Sequence, residues 1–229
     1  MDIFKSGKNF ELEALGSINR KKELDLSRDV IREQLIQKLF PGYSNEAVER
    51  FFDKHPEERE SFEKKIEDQM TYKFVKNPEK YVYDIETALK IVKECQPNYL
   101  PGLTDDLYNK VAEKLKIEDR DENDNFYNLK IYTAVDSKVD YSFGIDAFIV
   151  YTYYDESELK EKEIIVSLDI TINNLKNSSK ADVILTFQED ATDSRSRWSE
   201  PVFFYAVVIA EKIKEKIKQN NKHEYDGKN

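Results

Sequence analysis

The sequence predicts an α+β fold in which a helical N-terminal half packs on a small mixed β-sheet flanked by helices. Three observations carry this. Apolar residues recur at helical spacing through residues 27–116. The acidic segment Glu118 to Asn125 (EDRDENDN) then marks a change to period-two patterning. A long helix, apolar all round in its first half, closes the ordered chain. These shifts divide the protein into a helical region at 1–103, an α/β core at 104–219 and a disordered tail at 220–229.

Residues 1–25 are polar and predict little order. Ser27 reads as the N-cap of a helix to Phe40, with Val30, Ile31, Leu35, Ile36 and Leu39 on one face, and Pro41-Gly42 ends it. Ser44 or Asn45 caps the next helix, which carries Val48, Phe51 and Phe52. Pro56 opens a third, closed by Asn77-Pro78. Asp84 caps a helix through Cys95, with Ile85, Leu89 and Val92 in step, and Thr104 caps one from Asp105 to Lys116. Four strands are expected at Phe126 to Ala134, Ser142 to Tyr154, Glu163 to Asn173 and Ala181 to Gln188. Ser199-Glu200-Pro201 starts the last helix, which runs to Gln219. Its stretch Val202 to Ala210 requires burial against the sheet or a partner, a homodimer through this helix included.

Composition narrows the function classes. The chain has 229 residues, 39% hydrophobic and 12% aromatic, enough to build a core. A single cysteine, Cys95, excludes an intramolecular disulfide framework and a thiolate zinc site, and reads as a small buried hydrophobe. No apolar run at the N-terminus resembles a signal peptide, and the longest apolar run, nine residues, is shorter than the ~20 a bilayer needs. A cytoplasmic location is the expectation. The net charge is −10, with −3 in residues 1–120 and −7 in residues 121–229. Neither part carries the basic footprint of a tight DNA binder.

The third strand carries the pattern most suggestive of chemistry. Ile164, Val166, Leu168, Ile170 and Ile172 alternate with Ile165, Ser167, Asp169, Thr171 and Asn173. Aspartate is a poor strand former, so Asp169 in mid-strand needs a reason. Gly144-Ile145-Asp146 is a matching interruption on the second strand. If the two strands pair, Asp146 and Asp169 come side by side, and two close carboxylates repel unless a cation bridges them or one is protonated. Oxygen ligands of this kind suit Mg²⁺ or Mn²⁺. The competing reading places both aspartates on a solvent-facing sheet surface.

Gly144-Ile145-Asp146, followed 23 residues later by Asp169-Ile170-Thr171, resembles the PD-(D/E)xK nuclease superfamily, over residues 104–218. There, an aspartate on one strand is followed by an acid-x-Lys triplet on the next, after a leading helix. The resemblance implies a restriction-endonuclease-like core and metal-assisted phosphodiester hydrolysis, with nucleic acid as substrate, DNA ahead of RNA. It makes Asp146 and Asp169 metal ligands, with the Ile170 carbonyl as a third, and the helix Asp105 to Lys116 the leading helix, with Glu113 as a further acid. Thr171 stands where the family has lysine. A short turn back beside the Thr171 end of the third strand would let Lys180, or Lys176, supply that charge. The helix expected between the third and fourth strands has only Asn174 to Ser179 available. Two alternatives stay open: a catalytically inactive nuclease-like fold, or an unrelated α+β protein, acting as a protein or nucleic-acid binding module. His55 reads as exposed and His223 as inert in the tail, while the lysines 212, 214, 216 and 218 read as a solvated face, or else as a patch that tracks a nucleic-acid backbone. Arg195-Ser196-Arg197-Trp198 reads as a capped turn, or else as a phosphate and base contact.

Overall fold

The computed structural model describes residues 7–71, 84–98, 102–122, 125–172, 180–187 and 196–226. The helices are α1 (Gly7–Leu15), α2 (Arg20–Leu39), α3 (Asn45–Lys54), α4 (Pro56–Thr71), α5 (Ile85–Glu94), α6 (Gly102–Leu115), α7 (Lys138–Phe143) and α8 (Ser196–Asp226). The strands are β1 (Leu129–Thr133), β2 (Ala147–Asp155), β3 (Lys160–Thr171) and β4 (Val183–Thr186). The chain forms two compact units. One is Asn19–Cys95, and the other joins Met1–Ile18 to Gln96–Asn229.

The unit Asn19–Cys95 is helical. Asn19, not Ser27, caps α2: its side chain accepts from the Lys22 N–H at 3.1 Å. Ser27 lies inside the helix, fully buried one turn before Ile31. The charged residues before it do not break a helix, so α2 starts earlier than its apolar face suggests. Ser44 caps α3, accepting from the Ala47 N–H at 3.3 Å, and Asp84 caps α5, accepting from Thr87 at 2.8 Å. Asn77-Pro78 lies outside the described residues. Ile31, Leu35, Ile36, Val48, Phe52, Phe62, Ile66 and Met70 share one core. Charges ring it: Arg32 pairs with Glu49 and, at 2.6 Å, with Glu63, while Arg28 pairs with Glu67 and, at 2.7 Å, with Glu63. The Arg32 guanidinium also lies 5.5 Å from the Phe62 ring centroid. At the end of α5, burial pushes the Cys95 thiol up to about 11, which leaves it protonated and unreactive.

The other unit holds a four-stranded mixed sheet in the order β1-β2-β3-β4. The first three strands are antiparallel; β4 pairs parallel to β3, with Leu168 level with Val183 and Thr171 level with Thr186. Alternation along the strands puts Ala147, Ile149, Val166, Leu168, Ile170 and Leu185 in a core with residues of α1, α6 and α8. Phe10, Ala14 and Leu15 of α1 are buried there, so the polar N-terminal segment is not the unordered arm its composition suggests. Three apolar residues at helical spacing suffice to dock a helix on a preformed face.

Several boundaries move. Thr104 is a buried residue inside α6, because Gly102 already starts that helix. Ser142 and Phe143 close α7 rather than open a strand. The Asp155 carboxylate accepts from the Ser157 N–H at 2.8 Å and hydroxyl at 2.7 Å and pairs with Lys162 at 2.6 Å, which tightens the hairpin and lets β3 begin at Lys160. The final helix continues through Asp226, past the expected end at Gln219. Its apolar half is only partly covered: Val202, Ala206, Ile209 and Ala210 are buried, while Phe203 and Phe204 are 50% and 62% exposed. No described helix is long and apolar enough to cross a membrane.

Phe52→Ala should destabilise the helical unit by ~3–5 kcal/mol, because it opens a cavity under the Phe40 and Phe62 rings. Arg32→Ala should cost less, ~1–2 kcal/mol, since its side chain keeps 28% exposure and water screens its two pairs. Urea unfolding followed by circular dichroism ranks the two; equal losses would show the ion network to be as important as the core.

Candidate functional site

The candidate site is built where α7 hands the chain to β2. Helix α7 starts from an N-cap: the Ser137 hydroxyl accepts from the Val139 and Asp140 N–H groups at 3.0 and 3.2 Å, and the Asp140 side chain accepts from the Asp136 N–H, just before the cap, at 2.9 Å. It ends at Gly144, whose φ of +63° is left-handed. A Cβ at Gly144 would meet nothing within 4 Å, so the demand for glycine is conformational.

Asp146 follows, just ahead of β2 instead of in mid-strand, and it makes three linkages. Its N–H donates to the Leu168 carbonyl at 2.9 Å, and its carbonyl accepts from the Ala134 N–H at 2.7 Å. Its carboxylate Oδ2 accepts from the Ile170 N–H at 2.6 Å. Leu168 is also the register partner of Ala147, so two successive residues face one, as at a β-bulge. The backbone carbonyl of Asp146 is turned toward the β1 side, and the side chain serves the β3 N–H in its place. Asp146 therefore grips both neighbours of Asp169.

Asp146 and Asp169 are 5% and 3% exposed, so neither is a solvent-facing strand residue. Burial pushes the Asp146 carboxyl from its ordinary 3.8 up to about 8. The Ile170 N–H opposes that shift, and the charges of Glu11, Asp169 and Asp140 add to it. Glu11 and Asp140 were not among the residues the sequence singles out. The Ser137-x-x-Asp140 capping pattern was a legible sign of α7; nothing in the polar N-terminal segment marked Glu11.

The remaining expected site residues separate. Ile170 is fully buried, and its N–H is the group that meets Asp146. Thr171 ends β3, where its carbonyl accepts from the Phe187 N–H at 2.9 Å. Lys180 does not return beside Thr171. The Asp182 carboxylate takes the Ser167 N–H and hydroxyl, both at 2.9 Å, and Val183 is level with Leu168, so Lys180 lies exposed toward the Ile165 end of β3. The reason is the parallel pairing. The chain must run back along β3 before β4 begins, whereas a short hairpin would have reversed it at Thr171. Lys176 is outside the described residues. Glu113 is exposed on α6 and paired with Lys110 at 2.7 Å, which holds its carboxyl below the usual range. Lys216 bonds the Ile165 carbonyl and Asp182 at 2.8 and 2.7 Å, and Lys212 pairs with Glu215. His55 is exposed. The side chains of Arg195, Arg197, Trp198 and His223 lie outside the described residues.

Among the described residues no three His, Cys, Asp or Glu side chains form a metal-holding group. Compared with known proteins, the chain matches no family model, no curated protein and no solved structure.

A buried acid with a raised pKa favours the folded state when protonated. Its contribution is fully present below 3.8 and is lost as the pH rises through about 8. In EDTA, wild-type melting temperature should fall over that window. Asp146→Asn keeps an oxygen to accept from Ile170 and carries no charge, so its melting temperature should exceed that of wild type at pH 9 and lose most of the slope. A variant less stable than wild type at pH 9 would show that the carboxylate itself, charged, holds the bulge.

Proposed function

We propose that the protein is a metal-dependent nuclease with a restriction-endonuclease-like core, hydrolysing phosphodiesters of nucleic acid, DNA ahead of RNA. The observation that carries this reading is the linkage of Asp146 to both neighbours of Asp169, a second buried acid whose charge acts on it. The order of elements supports it: α6 precedes an antiparallel β1-β2-β3 meander, and β4 returns parallel to β3.

Two carboxylates fit Mg²⁺ or Mn²⁺, ions that keep several waters and take further oxygens from substrate phosphate. Such an ion would activate water and offset phosphate charge. Asp146 and Asp169 would hold it, with the Ile170 carbonyl as a further oxygen. One oxygen of Asp146 is committed to Ile170, which fixes the carboxylate's orientation and leaves the other to bind. Thr171 can hydrogen-bond a water but supplies no charge. The exposed Phe203 and Phe204 of α8 support a homodimer through that helix.

Lys180 at the far end of β3, with threonine in the lysine position, favours a second reading: an inactive nuclease-like fold that binds without cleaving. Incubation with single- and double-stranded DNA and RNA in Mn²⁺ separates the two. The nuclease reading expects cleavage that falls at least about a hundredfold in Asp169→Asn. It expects Lys180→Ala to cut like wild type. A Mn²⁺-dependent rise in melting temperature, lost in Asp169→Asn, without cleavage of any substrate selects the binding module. No cleavage and no thermal shift sinks both.

A further inference from the structure

Strand β1 is an edge of the sheet. Along an antiparallel edge strand, alternate residues direct N–H and C=O away from the sheet. The Asn128 carbonyl accepts from the Thr152 N–H at 2.8 Å, which turns Asn128, Lys130 and Tyr132 toward β2. Leu129, Ile131 and Thr133 then face outward. Thr133 is already matched: its N–H donates to Gln96 Oε1 and its carbonyl accepts from Gln96 Nε2, each at 2.9 Å. One side-chain amide thus takes the place of one residue of a neighbouring antiparallel strand. The Leu129 carbonyl accepts from the Tyr108 hydroxyl at 3.3 Å. Between them, the outward N–H and C=O of Ile131 have no such partner among the described residues.

Ile131 lies in the wall of a cleft of about 670 Å³. Tyr108, Phe126 and Tyr127 line it with aromatic surface, and Tyr127 is 66% exposed. Its charged side chains are Asp105, Asp121 and Lys130, so the lining is net negative. A free donor–acceptor pair asks for an extended backbone, the aromatic walls for an apolar side chain, and the acids for a basic one. We propose that this cleft binds an extended basic segment of a partner protein as an added strand against β1, in register with Ile131. Gln96 blocks the edge at Thr133 and so sets where the added strand stops.

Fluorescence anisotropy tests this on the full chain, with a labelled octapeptide of alternating lysine and valine as probe. The glutamate–valine octapeptide should not bind. The lysine–valine peptide N-methylated at alternate residues keeps its charge but loses the N–H groups that would face β1, and it should not bind either. Asp105 and Tyr127 are exposed, so Asp105→Lys and Tyr127→Ala leave the fold intact; each should weaken binding about tenfold, with melting temperature unchanged. Equal binding of the N-methylated peptide would mean charge attraction to an acidic protein and overturns the proposal. So does wild-type affinity in both variants, or no binding of the parent peptide. Direct binding of labelled oligothymidylate to the chain, weakened by Tyr127→Ala, would assign the cleft to single-stranded nucleic acid and overturn it as well.

Discussion

One hydrogen bond organises the middle of the sheet: the Ile170 N–H donating to the Asp146 carboxylate. Ile170 is fully buried, and a buried N–H without an acceptor costs about 1–3 kcal/mol. A regular ladder would satisfy it with a backbone carbonyl. At the bulge that carbonyl turns instead to Ala134, so a side chain must reach across. Aspartate is short enough to do so from the strand end, and the left-handed Gly144 before it permits the approach. The cost is a carboxylate out of water, which appears as the upward shift of its pKa. The interaction that closes the sheet and the proposed chemical group are therefore the same atoms.

The parallel partner of β3 has an equally wide reach. It requires the chain to travel back before β4 begins, which carries Asp182 and Lys180 to the Ile165 end and leaves Thr186 beside Thr171. Lys216 reaches in from α8 to tie the Ile165 carbonyl to Asp182. Charge is thus balanced at one end of β3, while acids gather around Asp146 at the other. A cation at the acidic end would offset that imbalance, the physical basis of the proposed metal role. The edge at β1 is managed differently, by the Gln96 amide and the Tyr108 hydroxyl, with Ile131 left open between them.

Much of the local structure was legible in the chain itself. Ser44 and Asp84 cap their helices because short oxygen-bearing side chains satisfy the first free N–H groups wherever they stand. Alternation in Ile164, Val166, Leu168 and Ile170 fixed which face of β3 meets the core. The four strands and most of the helices follow from such short-range patterns, while α1 and α7 are not among those predicted. Three things required the tertiary structure. The burial of α1 depends on a sheet face assembled from residues more than a hundred positions later. The place of Lys180 depends on the direction of β4, which period-two patterning does not encode, since parallel and antiparallel strands alternate alike. The bond from Asp146 to Ile170 depends on a bulge, where a backbone carbonyl chooses between two neighbouring strands. Caps and periodicity act within a few residues and can be read along the chain; strand direction, bulge geometry and the burial of a charge are set by which distant segments meet.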